Sequence, residues 1–276
     1  MSTVENLAGQ PVGQIRIAPL TGFAEFERCV EVQIAVWGYA DGDLIPKRVF
    51  IVAAAIGGQV LGAFDTSKAD AEAIVGIAMA LPGYRDGQAY LHSHMLAVLP
   101  EYRNHGLGRR LKLAQRDDAL ARGIARMEWT FDPLEIKNAH LNIARLGAIV
   151  RRYKRDFYGP STSPLQGGLP TDRLVAEWWL GSLRVRHMLG ELESDTGGEE
   201  TADCGDVVEK VLVPAEVYDW KRDAGRRKLA ESLQTRNRIA LEDAFERGLA
   251  VVGFERNAEG DGCYLLGAVS GLEAPM

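Results

Sequence analysis

The sequence predicts an α/β fold, a mixed sheet flanked by helices over residues 15–190, followed by a smaller α+β extension over 207–276. Three observations carry this expectation. Strand-like and helical hydrophobic patterns alternate from Ile15 onward. Two apolar runs, AIVGIAMALP and AYLHSHMLAVLP, are joined by GYRDGQ, whose Asp86-Gly87 pair suits a tight hairpin turn. An acidic stretch with interspersed glycines, residues 191–206, interrupts the pattern before it resumes.

Element by element, IRIAPL (15–20) reads as a strand, and TGFAEFERCVEVQIAVWGYA follows as a helix capped by Thr21. Pro46 opens a second helix, KRVFIVAAAI, which Gly57-Gly58 ends, and QVLGAFD makes a short strand. After the hairpin, LGRRLKLAQRDDALARG places Leu107, Leu111 and Ala114 on one helical face and stops at Gly123. RMEWTFD resumes a strand, NAHLNIARL a helix, and AIVRRYKRDFYG and RLVAEWWL are strand candidates. Residues 191–206 hold seven acidic residues and no basic one, which predicts a solvated linker. The extension then reads as a strand (VVEKVLVP), a long helical region over 215–246, and two strands, LAVVGFE and CYLLGAV.

The 276-residue chain is 46% hydrophobic and 25% charged, the composition of a globular protein with a packed core. Its formal charge of −6 gives no general attraction for phosphate backbones, which argues against nucleic acid as a partner. Residues 1–14 lack a basic segment followed by an apolar one, so they read as a flexible tail rather than a signal peptide, and a cytoplasmic location is expected. The longest apolar run, Val49 to Phe64, is broken by Gly57, Gly58 and Gln59 and is too short for a bilayer, so no membrane partner is expected. Cys29, Cys204 and Cys263 are odd in number and widely spaced, which predicts neither a disulfide framework nor a metal site.

The chemistry concentrates in VLPEYRNHGLGRR, residues 98–110, where a strand turns into an arginine-rich helix. A helix N-terminus leaves its first N–H groups unpaired and carries partial positive charge, so it favours an anion. Gly106 and Gly108 remove Cβ atoms that would keep a diphosphate from the backbone, while Arg103, Arg109, Arg110 and Lys112 add positive charge. A dinucleotide fingerprint would need glycine where Leu111 stands, and a P-loop would need Gly-Lys-Ser/Thr where the chain has Gly108-Arg109-Arg110. Neither familiar phosphate motif fits.

The run LAVLPEYRNHGLGRRLKL resembles the acyl-CoA-binding motif of the GNAT (GCN5-related N-acetyltransferase) superfamily, Arg/Gln-x-x-Gly-x-Gly/Ala after a strand, with Arg103, Gly106 and Gly108 at the matching positions. The order of elements from about residue 15 to 160 is similar as well. The resemblance implies a central, mostly antiparallel twisted sheet and transfer of an acyl group, normally acetyl, from acyl-CoA to a primary amine. It implies that the backbone of Leu96, Ala97 and Val98 pairs with the pantetheine arm, and that Arg103, Asn104, His105, Gly106, Leu107, Gly108 and Arg109 cradle the pyrophosphate. It also implies Asn138 or Asn142 beside the cofactor, against the alternative of a helix cap or surface amide. No metal is implied.

Direct acyl transfer needs a base for the amine and polarisation of the thioester carbonyl. Strand alternation places Tyr90, His92, His94, Leu96 and Val98 on one face, so both histidines point with the residues that approach the cofactor. His92 is the preferred base, at the position where some members of the family that the chain resembles carry a glutamate on the same strand. The alternative for both histidines is a hydrogen-bonded core role. Glu128 and Asp132 are further base candidates, against the alternative of solvated strand-end charges. The tyrosine acid common in the family is missing: Ile143 stands at its position before Gly147, and Ala148 replaces the following aromatic, leaving Tyr153 or Tyr158 as substitutes.

For the acceptor, a small-molecule amine or amino acid is expected. Trp178-Trp179 with Arg184 and Arg186 are candidates for a carboxylate pocket, against sheet packing and a basic helix face. The extension from Val207 either covers the acceptor side or forms a homodimer contact. The competing functions are a noncatalytic acyl-CoA sensor and a protein lysine acetyltransferase.

Overall fold

The computed structural model describes residues 14–39, 41–191 and 204–269; most of the expected tail (1–13) and of the acidic linker (192–203) lies outside the described residues. Two compact units divide the chain, Met1–Ile124 and Ala125–Met276, so residues 207–269 fall in the same unit as 125–191.

In the first unit, β1 (Ile15–Pro19), β2 (Gln59–Asp65), β3 (Ile74–Arg85) and β4 (Gln88–Val98) run in the order β1-β2-β3-β4, each neighbouring pair antiparallel. The helices are α1 (Phe23–Trp37), α2 (Lys47–Ala55) and α3 (Leu107–Ala121). The β3–β4 turn has Asp86 at φ 53° and Gly87 at φ 77°, the doubly positive geometry for which the Asp-Gly pair was selected. The expected Thr21 cap is corrected. Gly22 is the cap residue of α1, and Glu25 reaches back so that its Oε2 accepts the N–H groups of Thr21 (2.7 Å) and Gly22 (2.8 Å). A core of Leu20, Phe26, Phe50, Ile77, Met79 and Leu111 fills this unit.

The alternation expected along β4 is also corrected. Met79 pairs with Met95 and Ala80 with Ser93, so His94 is an extra residue in a β-bulge. Beyond the bulge the faces exchange: Ser93, Leu96 and Val98 share one side, and His92, Met95 and Ala97 the other. Contacts from α3 mark the first side, with Lys112 bonded to Ser93 and Leu96 lying against Gly108.

In the second unit the order is β5 (Arg126–Phe131), β7 (Arg173–Trp179), β6 (Ile149–Lys154), β9 (Ala250–Arg256), β10 (Gly262–Val269) and β8 (Cys204–Val213), with antiparallel pairing throughout. The helix expected across NAHLNIARL is a four-residue α4 (Ile136–Ala139) that continues as a π-helical stretch, His140–Arg145. Helix α5 covers Leu183–Leu189, and the Ser182 hydroxyl accepts the Val185 N–H at its start. The helical region 215–246 is two helices, α6 (Val217–Arg222) and α7 (Arg227–Glu246). They part where Asp223 turns extended and its carboxylate accepts the Gly225 N–H at 2.8 Å, a local bond that competes with helix. Trp178 and Tyr264 are the largest fully buried side chains of this unit, and Trp129 meets Trp178 edge-on at 5.8 Å.

Candidate active site

Between β4 and α3, Pro100–Tyr102 forms a single helical turn that aims the chain into the RNHGLG segment. Tyr102 pins that turn. Its buried phenol donates to Asp65 Oδ2 at the end of β2 (2.6 Å), and the Lys68 ammonium lies 5.3 Å from its ring centre. Burial and then the bond to Asp65 push the Tyr102 phenol above its ordinary range. Burial alone would raise the Asp65 carboxyl, but bonds from Ser67 and Tyr102 outweigh it and hold the group below its usual value.

Asn104 and Gly106 both take left-handed backbone conformations, φ 66° and 71°. Gly106 is the N-cap residue of α3, and no side chain caps the helix. The first helical bond runs from Arg110 N–H to the Gly106 carbonyl at 3.1 Å, so the amides of Leu107, Gly108 and Arg109 precede it. There is no acidic residue in that turn. A Cβ on Gly106 would meet nothing within 4 Å, and one on Gly108 only the Leu96 side chain at 3.5 Å. Gly106 is required by its backbone angle. Gly108 is helical, and no close packing in the fold requires it to be glycine.

The three arginines of this segment differ. Arg103 Nε donates to the Val98 carbonyl (3.1 Å), fastening the turn to the end of β4, and Arg110 reaches the Ile15 carbonyl (2.7 Å). Arg109 Nε is buried with no partner. Unpaired amides, an unpartnered buried guanidinium nitrogen and a helix without an acidic first turn fit an anion. His105 is exposed beside them.

The bulge separates two groups that the sequence placed together. Leu96 and Val98 face α3, while His92 lies on the other side of β4 with its ring 6.1 Å from that of His94. Burial draws His94 below its ordinary range, which favours a neutral imidazole.

The remaining candidates lie in the second unit. Glu128 is not a solvated charge: it is buried and ion-paired to Arg152 (2.8 Å) and Arg126 (3.6 Å). Its cross-strand neighbour Glu177 is held by Arg151 (2.5 Å) and Arg152 (3.1 Å), so Glu128 belongs to a buried ion network and is a poor base. Tyr153 donates its phenol to Asp172 (2.6 Å), and burial together with that bond raises it far above its ordinary range, which makes it a poor acid. Tyr158 shares a bond with Thr130 at 2.8 Å. Asp132 accepts from the buried Lys221 ammonium (2.9 Å), which also reaches Glu135 (3.1 Å). Asn138 is exposed on α4 and Asn142 is buried in the π-helical stretch. Trp178 donates to the Leu146 carbonyl (2.7 Å), and Arg184 to those of Gly147 (2.8 Å) and Val252 (2.6 Å). Both therefore build the unit rather than a carboxylate pocket. Cys29 is fully buried and its thiol is pushed up to about 12 by that burial, which rules out a reactive thiolate at neutral pH. Among the described residues no cluster of metal-ligating side chains occurs, and no helix is long and apolar enough to cross a membrane.

Residues 23–141 match the family model described as acetyltransferase (GNAT) family. The match is to a GNAT acetyltransferase domain and spans less than half of the chain. No curated protein matches the chain. Among solved structures, Arabidopsis thaliana NAA60 in complex with acetyl-CoA is 14% identical, with a TM-score of 0.50 over 61% of this chain and 100% of that one. The ribosomal-protein-S18-alanine N-acetyltransferase of Escherichia coli is 16% identical, TM-score 0.45, over 60% of this chain and 93% of that one. A GNAT family acetyltransferase from Elizabethkingia anophelis with acetyl-CoA bound is 18% identical, TM-score 0.44, over 60% and 97%. At these identities the likeness to NAA60 concerns the fold of the GNAT domain and nothing finer. Sequence reasoning missed the Asp65–Tyr102 bond, the polar residues behind Ser93 and the Lys221 cluster, since each joins positions far apart in the chain.

Proposed function

We propose that this chain is a cytoplasmic N-acetyltransferase that moves the acetyl group of acetyl-CoA directly to a primary amine of a small molecule or amino acid. The observation that carries the reading is the first turn of α3, where free amides, the unpartnered Nε of Arg109 and the open space over Gly108 meet. The segment Arg103 to Arg109 would hold the pyrophosphate, with the backbone of Leu96 to Val98 along the pantetheine arm. Asn138 and Asn142 enter only through the family resemblance. Acetyl-CoA supplies the activated thioester when bound; the chain supplies binding, orientation and a base. His92 is that base, a half-buried imidazole, the side-chain type suited to accept an ammonium proton near neutral pH. With Tyr153 bound to Asp172 and Ile143 sealed in the core, the thiolate leaves without a tyrosine acid.

The buried Ile143 also favours one alternative, a noncatalytic acyl-CoA sensor. Thiol release from acetyl-CoA across a panel of small amines and amino acids separates the two. Amine-dependent release, reduced about a hundredfold or more in His92→Gln, supports the enzyme. Binding of coenzyme A with no turnover on any amine supports the sensor, and no binding removes both.

A further inference from the structure

Ser93 and Leu96 are three residues apart and face the same side of β4, which regular strand alternation forbids. The extra residue at His94 resolves the conflict, and a buried polar group holds Ser93 in place. Ser93 Oγ accepts from Lys112 Nζ (2.7 Å) and donates to Gln115 Oε1 (2.9 Å). Both partners lie on α3, and Ser93, Lys112 and Gln115 are 4%, 4% and 0% exposed. From β2, two strands away in the sheet, Gln59 donates to the Gln115 carbonyl (2.8 Å) and to Asp118 (2.7 Å), which fixes the same stretch of α3 to the sheet.

Such a group is a poor source of stability. Desolvation draws the Lys112 amine well below its ordinary range, and apolar residues of similar volume often serve a core as well or better. Its place is informative: it grips the residue between His92 and His94 from the opposite side of the strand. We propose that Lys112, Ser93 and Gln115 are positioning residues that set the bulge at His94 and so the direction of the His92 imidazole. The proposal rests on the reading of His92 as base.

The test compares Ser93→Ala with the hydroxyl-retaining Ser93→Thr, and adds the triple variant Ser93→Ala, Lys112→Met, Gln115→Leu in case the single change fails to fold. Each is measured by steady-state kinetics, thermal melting and the imidazole proton–carbon spectrum of the chain's five histidines. The alanine and triple variants should move the His92 and His94 signals and leave those of His105, His140 and His187 in place. Their kcat should fall about tenfold to a hundredfold, with the KM for acetyl-CoA unchanged in the alanine variant, which keeps every cation of α3; the threonine variant should keep both, and the triple variant should melt no lower than wild type. Unmoved His92 and His94 signals overturn the proposal, as does an even shift of all five with no threonine rescue. If those two signals move as expected but His92→Gln keeps its activity, the placement holds and the base assignment fails instead.

Discussion

The first turn of α3 and the turn after β5 both collect charge, and they treat it in opposite ways. At the turn after β5, the Lys221 ammonium is 5% exposed and held by Asp132 and Glu135, with the Tyr264 hydroxyl donating to the Pro133 carbonyl beside them. Burial alone would lower Lys221, but the two carboxylates outweigh it and its pKa stands above the ordinary value. At α3, the buried Arg109 Nε has no hydrogen-bond partner and no side chain caps the helix amides. Paired charge there holds elements together; unpaired charge here is kept for something outside the chain. The comparison makes stability and ligand affinity separable by mutation.

The largest effect should come from the paired side. Lys221→Met leaves the buried Asp132 carboxylate and the partly buried Glu135 without their cation and should cost about 3–5 kcal/mol in urea unfolding. A loss within about 0.5 kcal/mol would show that the cluster is solvated and that the contrast is false.

How much of this contrast was legible in the chain depends on distance along it. The RNHGLG turn, the Asp-Gly hairpin and the order of strands and helices are local patterns, and the residues that make them are adjacent. The bulge at His94 was not legible, because it is set by Ser93 meeting α3 about twenty residues later, Lys112 and Gln115 being the contacts. Glu128 reads as a strand-end charge until Arg152 and Glu177 are brought beside it. Lys221 is 89 residues from Asp132, and nothing in a stretch such as VYDWKR distinguishes a buried lysine from a solvated one.

The second prediction addresses the unpaired side. Gly108→Leu keeps a helical residue whose Cβ meets only the Leu96 side chain at 3.5 Å, so melting should be unchanged or slightly raised while coenzyme A affinity falls about a hundredfold, the loss of one or two charge-assisted bonds. A variant that melts lower and binds normally would place the glycine requirement in the fold.

Third, Tyr102→Phe should lose about 1.5–2 kcal/mol at pH 7, since the buried Asp65 carboxylate gives up a bond. The sign with pH follows from the direction of the shift. Asp65 is held below the ordinary carboxylate value of about 3.9, so its contribution is complete above that value and disappears as pH falls through the folded-state value. The phenylalanine variant should therefore begin to converge on wild type as pH falls below about 4, and meet it only below the folded-state value of Asp65, in unfolding measurements made across that range. A constant difference at all pH values would mean that the phenol stabilises the turn by packing alone. The smallest effect is expected for Arg109→Ala, about a fivefold loss of coenzyme A affinity that shrinks at high salt, with melting unaltered.

The central claim is that the unpaired groups at the start of α3 exist for an acyl-CoA. It is met most directly by calorimetric titration of coenzyme A, acetyl-CoA and NAD into wild-type and Gly108→Leu protein. Saturable binding of both coenzyme A species to wild type, none of NAD, and a matching loss in the folded variant is the predicted result. No coenzyme A binding to wild type, or equal binding to both proteins, would contradict the account.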